Sequence, residues 1–323
     1  MEENDEIDLE KLDVLREFGC QHLKICCPLD QLKNSTTGPS PLPAMRPGCG
    51  WSNPGAYLFR SQSDNNADFG EFPWIIALMK KSSEDRSWVQ SDYLGGGTLI
   101  HPSVVMTVAH KVKNVIASQL KCRAGEWNTQ TTNEIYPYQV RDVKKIIVHE
   151  EFSAKLFSND VALLLLESPF YMNVPHIGIA CLGRSVPQMG TECFSMGWGQ
   201  DFNKKHEYAV SLKKVPLPLV AKDSCEYSLQ NTVLGSKYRL HNSLICAGGK
   251  VGVDTCKGDG GSPLVCQISA PGEPVRYNVI GMVAFGIKCG TEVPGVYVNV
   301  PHVLQWITRK ILEEQITDIQ FVA

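Results

Sequence analysis

The sequence predicts an all-β domain that ends in one amphipathic helix. From about residue 70 onward, short β-type runs bounded by turn residues recur at the spacing typical of all-β proteins. The runs lie at 74–79, 98–100, 104–108, 143–148 and 279–283. Near the C-terminus, residues 304–312 place apolar side chains at helical spacing, which predicts a helix with one buried face.

Length and composition bound the function classes. The chain has 323 residues, of which 43% are hydrophobic, enough for one large core with an N-terminal appendage. A formal net charge of -3 gives no support to general nucleic-acid binding. No apolar run approaches the length of about 20 residues that crosses a membrane. We therefore expect neither nucleic acid nor a membrane as partner.

The cysteines and the N-terminal residues give conflicting indications of whether the protein is secreted. Twelve cysteines without zinc-type paired spacing indicate disulfides and an oxidising compartment. The first six residues are acidic and polar, unlike a secretory signal. Because the cysteines weigh more, we expect a secreted protein whose signal peptide precedes this sequence.

Ahead of the predicted core lies a cysteine cluster and then a linker. Cys20, Cys26 and Cys27 form the cluster, and residues 32–54 are rich in Ser, Thr, Gly and Pro, which is linker composition. A sequon at Asn34 predicts a glycosylation site in this exposed segment.

Three motifs in a fixed order carry the chemistry. His110 ends a Thr-Val-Ala-His stretch, Asp160 follows an asparagine, and Gly-Asp-Gly-Gly-Ser-Pro occupies 258–263. From Cys49 to Gln315 the chain resembles the trypsin-like serine proteases, which implies a double Greek-key β-barrel with a C-terminal helix. In that family the third residue of the last motif bears the attacking hydroxyl. Here it is Gly260, so no acyl-enzyme can form and the resemblance implies a pseudoprotease.

The remaining members of the triad are expected to be degenerate. His110 and Asp160 match the general base and its orienting carboxylate, and we expect them to serve packing and hydrogen bonding. Ser262 is the alternative nucleophile, but two residues of extended chain move a side chain by about 6 to 7 Å. A nucleophile and its base lie within about 3 Å, so we expect Ser262 to be structural. Gly258 still offers the backbone N–H of the family's oxyanion hole.

A basic specificity pocket is also implied. Asp254 matches the acidic base of the trypsin-type pocket, and Gly286 and Gly295 match its small wall residues. Together they would admit an Arg or Lys side chain. The alternative is geometry kept only for folding, and Ala284 and Phe285 replace the Ser-Trp pair of the family.

The resemblance places a zymogen cleavage site at Arg60-Ser61. In active members the new N-terminus is apolar and pairs with an aspartate that Asp259 matches. Here the new end would be polar, which forfeits about 2 kcal/mol for each large aliphatic side chain lost. We expect a weakly driven switch, with cleavage serving to free the N-terminal segment.

The resemblance also implies a disulfide pattern. It pairs Cys49–Cys181, Cys193–Cys266, Cys225–Cys246 and Cys256–Cys289. The family's bridge beside the catalytic histidine is missing, and Leu94 and Lys111 are assigned to its positions. Cys122 is left to bridge one of the N-terminal cysteines or to remain free.

One loop resembles the calcium loop of trypsin-like proteases. Glu126 and Glu134, with backbone carbonyls, could hold calcium, and the alternative is two solvated surface carboxylates. The stretches 123–130 and 254–263 resemble insect clip-domain serine protease homologues more specifically.

These likenesses divide the chain into three parts. Residues 1–30 resemble the C-terminal part of a truncated, disulfide-rich clip domain, 31–60 form a linker, and 61–323 form the protease-homologue domain. The alternative for the first part is an unrelated cysteine cluster.

The resemblance implies a secreted arthropod haemolymph protein of innate immunity. It would be a non-enzymatic cofactor or regulator of the prophenoloxidase (melanisation) cascade. Its implied partners are prophenoloxidase, the activating clip-domain protease and an upstream processing protease, with a homo-oligomer after cleavage. The alternatives are a microbial-surface recognition or adhesion module, a negative regulator that captures Arg or Lys peptides, and a residual trypsin-like peptidase.

Overall fold

The computed structural model describes residues 46–54, 65–81, 88–131, 134–201 and 207–321. The predicted clip segment at 1–30, the sequon at Asn34 and the cleavage site at Arg60-Ser61 lie outside these residues and stay predictions. Four of the predicted strands lie in the N-terminal half of the described chain, and the fifth lies near its end.

The first half of the described chain folds into a closed antiparallel barrel. Its strands are β1 (Ile75–Lys80), β2 (Tyr93–His101), β3 (Val104–Thr107), β4 (Leu120–Ala124), β5 (Gln139–Val148) and β6 (Ala162–Leu166). They pair in the order β1-β2-β3-β6-β5-β4. Every residue of β3, β4 and β6 is buried, including Lys121 and Arg123 of β4.

The second half forms another barrel. Short β7 (Cys181–Leu182) precedes β8 (Glu192–Gly197), and β9 (Gln200–Asp201) pairs with β10 (Glu207–Tyr208) as a separate ribbon. The other strands are β11 (Lys213–Val220), β12 (Leu244–Ala247), β13 (Pro263–Gln267), β14 (Tyr277–Phe285) and β15 (Gly295–Asn299). The order β13-β8-β11-β12-β15-β14 closes because β13 also pairs with β14, and β7 adds to β14 in parallel. The two barrels confirm the predicted fold class.

The described residues contain three α-helices, and the last one was predicted. They are α1 (Ala109–Val112), α2 (Lys222–Gln230) and α3 (Val300–Glu313). The third begins before the predicted 304–312 because the Asn299 side chain caps it, accepting from the His302 N–H at 3.3 Å, and Pro301 fits its first turn. In the described part of the chain, no helix is both long enough and apolar enough to cross a membrane.

Part of the predicted linker belongs to the body of the domain. Cys49 is buried and bonded to Cys181, and the Gly50 N–H donates to the Ile179 carbonyl at 2.7 Å. The structure contains the four disulfides Cys49–Cys181, Cys193–Cys266, Cys225–Cys246 and Cys256–Cys289. Cys122 is a free thiol buried in β4, and burial raises its pKa. Of the two alternatives for Cys122, the structure shows the free thiol.

Candidate functional site

His110 and Asp160 form a hydrogen-bonded pair at the junction of the barrels. Asp160, just before β6, is fully buried, and its Oδ2 lies 2.7 Å from Nδ1 of His110 in α1. Its other oxygen accepts from the His110 backbone N–H at 2.8 Å. The carboxylate therefore fixes the imidazole as it would in a working base, with Nε2 left for the cleft.

Gly260 lies where a nucleophile would face this base. A Cβ built on Gly260 would stand 3.4 Å from Nε2 of His110, so a short side chain there would reach the imidazole. The same Cβ would stand 2.6 Å from Cε of Lys111 and 3.5 Å from its Nζ. The end of the lysine side chain thus overlaps the space that the Cβ of a residue at position 260 would take. The sequence reasoning missed Lys111 as a site residue, although a basic residue directly after His110 was a visible signal.

The residue that faces Lys111 is Gly95, so the assignment of Leu94 to the missing bridge is wrong. A Cβ on Gly95 would lie 3.5 Å from Cε of Lys111 and 2.3 Å from the Gly260 carbonyl oxygen. A side chain at this position would therefore collide with the last motif. Without a bridge, the lysine stem passes between Gly95 and Gly260.

Ser262 points into the protein and away from the cleft. It is fully buried, and its Oγ would stand 2.2 Å from a Cβ on Gly96 and 2.9 Å from one on Gly197. The hydroxyl has no hydrogen-bond partner among the described residues, which nothing in the structure explains. Its packing supports a structural role.

Asp259 is buried and bonded to the protein's own backbone. Its Oδ1 accepts from the Gly199 N–H at 2.8 Å, and its Oδ2 accepts from the Cys256 N–H at 2.9 Å. Burial raises the pKa of this carboxyl above its usual range. Pairing with a new N-terminus at Ser61 stays a prediction, because Ser61 lies outside the described residues.

Asp254 presents a partly buried carboxylate. Its Oδ2 accepts from the Gly290 N–H at 3.1 Å, and burial raises its pKa to about 6. It makes no ion pair with any residue that the structure describes. A Cβ on Gly286 would meet no atom within 4 Å, whereas one on Gly295 would contact the Tyr297 ring at 3.2 Å. A carboxylate without a counter-ion in this setting can accept a guanidinium or ammonium group.

An aromatic pair covers one side of the cleft. The Phe157 ring lies 5.4 Å from the His110 ring and 5.1 Å from the Phe285 ring, measured between centroids. Phe157 has φ of 54°, which is strained for a bulky residue. Such strain persists only where packing over-determines it. The sequence reasoning noted Phe285 and missed Phe157, because a strained φ leaves no mark in the sequence.

In the predicted calcium loop, the guanidinium of Arg123 pairs with Glu126. Oε2 of Glu126 accepts from Nη1 of Arg123 at 2.8 Å, and Oε1 of Glu126 accepts from the Trp127 N–H at 3.1 Å. Oε1 of Glu134 accepts from the N–H groups of Trp127 and Asn128 at 3.2 and 2.8 Å. The guanidinium of Arg123 is buried and stacks on Tyr138 at 4.1 Å.

These donors do not fit calcium. The ion needs six to eight oxygen ligands, whereas three of the four carboxylate oxygens here are committed to N–H donors. A fixed guanidinium beside Glu126 also repels a divalent cation. No cluster of three or more acidic, His or Cys side chains suited to a metal lies within the described residues.

Comparisons with known proteins agree with this geometry. The family profile described as Trypsin matches residues 62–307. The chain is 46% identical over 276 residues to Phenoloxidase-activating factor 2 of Galleria mellonella, covering 82% of this chain and 89% of that one.

Two mosquito proteins are also similar. Inactive CLIP domain-containing serine protease A8 of Anopheles gambiae is 40% identical over 273 residues, covering 82% of this chain and 71% of its own. Inactive CLIP domain-containing serine protease A28 of the same species is 32% identical over 325 residues, covering 97% and 82%. Each alignment spans most of both chains.

Restoring the hydroxyl alone should give a poor nucleophile, because Lys111 occupies its space. We expect Gly260→Ser to react slowly with a fluorophosphonate, and Gly260→Ser with Lys111→Ala to react at least about tenfold faster, a barrier difference of about 1.4 kcal/mol. Gel fluorescence with mass-spectrometric assignment of the labelled residue measures this. Adding His110→Ala should abolish labelling, and labelling of the unmodified protein on Ser262 would contradict the assignment.

Glu134 should make stability depend on pH. Burial raises its pKa from 4.5 to about 7, so the folded state holds the proton more tightly than the unfolded state. This contribution is fully present below about pH 4.5 and is lost as pH rises through about 7. We expect Glu134→Gln to lose less Tm between pH 5 and pH 8 than the unmodified protein, by scanning calorimetry.

Exposed Glu167→Gln is the matched control and should behave like the unmodified protein. Adding calcium or a chelator should leave the Tm of the unmodified protein and of Glu167→Gln unchanged. A calcium-dependent rise in Tm that Glu134→Gln removes would overturn the assignment of Arg123 as the cation of this loop.

Proposed function

The chain belongs to the trypsin family and, within it, to the clip-domain serine protease homologues, and we propose that it is a non-catalytic cofactor of phenoloxidase activation. One observation carries the proposal. Gly260 faces an intact His110–Asp160 pair, and the end of the Lys111 side chain overlaps the space that a Cβ at position 260 would take. The frame of a protease is present without a nucleophile, so the protein acts by binding.

The absence of a nucleophile sets the expected rate. With no residue able to form an acyl-enzyme, only binding and oxyanion donors remain, and these leave about 10³- to 10⁴-fold over water. Intact proteases exceed this by a further factor of about a million. A peptidase role therefore has no support from the site.

The preserved body supports a docking role. Both barrels are closed, and four disulfides stabilise the second half, one of which ties Cys49 of the N-terminal strip to Cys181. This bridge would keep an N-terminal segment attached after a cut at Arg60. The proposal includes secretion into haemolymph, processing by an upstream protease, and contact with prophenoloxidase and its activating protease. The name of the Galleria mellonella relative, Phenoloxidase-activating factor 2, supports this direction.

One observation favours a second function, capture of basic peptides as a negative regulator. The Asp254 carboxylate has no cation among the described residues. The family resemblance assigns it to one pocket with Gly286, where a Cβ would meet no atom within 4 Å. Both roles need the same fold and the same inactive site, so the assay must separate them.

The cofactor role predicts a gain of phenoloxidase activity without proteolysis. Protein with a complete N-terminus, intact or cut by limited proteolysis, is mixed with prophenoloxidase and its activating protease. We expect the cut form to raise phenoloxidase activity several-fold, with no hydrolysis of an Arg peptide substrate by the protein alone. His110→Ala should act equally well, because no proton transfer is needed.

Reduced phenoloxidase activity would instead identify a negative regulator. Peptide hydrolysis that requires His110 would overturn the pseudoprotease assignment. Binding to microbial polysaccharide in the absence of other haemolymph proteins would favour a recognition module.

The Asp254 pocket predicts a pH-dependent affinity for cations. Benzamidine carries a positive charge and no carboxylate, and it needs the ionised form of Asp254. Because the pKa of Asp254 is about 6, benzamidine affinity should fall below that pH, approaching tenfold per pH unit. Calorimetric titration from pH 5 to pH 8 measures this.

Asp254→Asn should remove both the binding and its pH dependence, whereas His110→Ala should keep both. If Asp254→Asn and the unmodified protein bound benzamidine with equal affinity, the Asp254 carboxylate would not bind the ligand.

A further inference from the structure

Lys111 carries an amino group that the domain itself does not use. Its side chain is partly buried between Gly95 and Gly260, with Nζ 3.5 Å from where a Cβ on Gly260 would stand. The structure gives it no hydrogen bond and no ion pair within the described residues. Burial lowers the pKa of this amino group, and the nearby carboxylates of Asp259 and Asp160 act in the opposite direction. A half-buried ammonium group without an acceptor is a site for an anion.

Charged groups around Lys111 do not satisfy it. Asp259 spends its oxygens on the amides of Gly199 and Cys256, and Asp160 spends its oxygens on His110. Lys257, which is exposed, adds a second positive charge nearby. The donor capacity of the ammonium group therefore remains for a ligand.

Two backbone donors lie in the turn that carries Gly260. In the turn of the last motif, the N–H groups of Asp259, Gly261 and Ser262 donate to carbonyls of the protein. The N–H groups of Gly258 and Gly260 have no acceptor among the described residues. Gly258 has φ of 102°, a conformation that favours glycine and sets the direction of this peptide. Free N–H groups beside an ammonium group suit a carboxylate.

The anion site and the Asp254 carboxylate lie on one folded loop. The Cys256 N–H donates to Asp259 Oδ2, the Asp259 N–H donates to the Cys256 carbonyl at 3.0 Å, and Cys256 is bonded to Cys289. The loop therefore presents an acceptor for a cation near its start and donors for an anion near its end. One residue with a basic side chain and a free α-carboxylate matches both charges.

We propose that Lys111, with the N–H groups of Gly258 and Gly260, binds the C-terminal carboxylate of a peptide whose last residue is Arg or Lys. The inference rests on the Asp254 pocket of the second function above. Such ends are the products of hydrolysis after Arg or Lys, so the reaction that supplies the ligand is trypsin-type cleavage. An uncut chain offers a neutral carbonyl here and must also pass the lysine stem that fills the space beside Gly260.

The test compares two peptides that differ only at the C-terminus. One is an N-acetylated tripeptide ending in Arg with a free carboxylate, and the other is the same peptide with a C-terminal amide. By calorimetric titration at pH 7.5, we expect the acid to bind the unmodified protein at least about tenfold more tightly than the amide. Lys111→Met keeps the length of the stem and should abolish this preference, whereas Lys111→Arg should keep most of it.

A control variant tests whether the positive charge must lie at position 111. Lys113→Met removes an exposed charge from the next turn and should leave the preference unchanged. Benzamidine binding to each variant reports that the Asp254 pocket remains folded.

Three outcomes would overturn the proposal. Equal binding of acid and amide, or a preference that survives Lys111→Met, would remove only the carboxylate site, provided that benzamidine binds. Failure of benzamidine to bind the unmodified protein would remove the peptide-capture function together with this inference. The cofactor function is tested by phenoloxidase activity and would stand through each of these outcomes.

Discussion

The buried carboxylate of Asp259 holds the cleft together. It bonds the amide of Gly199 in one loop and the amide of Cys256 in another, so it fixes the turn that carries Gly258 and Gly260. A Cβ on Gly199 would stand 2.4 Å from this carboxylate, so the contact also requires glycine there. Neither bond involves a nucleophile. The frame of the site therefore survives the loss of the serine.

The missing bridge and the missing hydroxyl are parts of one structural change. Gly95, Lys111 and Gly260 meet at a single point, where the lysine stem passes between the two glycines. A cysteine pair at the first two positions would leave no stem, and a serine at the third would collide with it. Because the three residues share one contact, their effects should be strongly coupled, as is usual for neighbours.

Much of the fold, and less of the site, could be predicted from the sequence. Strand positions and the last helix follow from period and apolarity, and the helix start needed only the cap at Asn299. The sequence could not show that Arg123 lies inside the loop with Glu126 and Glu134, because a charged residue normally indicates exposure. Nor could it show the direction of Lys111, since that depends on empty space at Gly95, which lies far away in the chain. Contacts that depend on the absence of a side chain are the hardest to predict.

Loss of catalysis changes what the cleft is selected to bind. A protease must release its products, so tight binding of a cut C-terminus slows turnover and is selected against. A protein without a nucleophile is free of that constraint. A neutral hydroxyl would neither attract nor repel the product carboxylate, whereas a positive charge in its place attracts it. Lys111 therefore has a binding role as well as a packing role. It turns a site that once cut after basic residues into one that recognises where another protease has already cut, with Asp254 supplying the same specificity for the basic side chain.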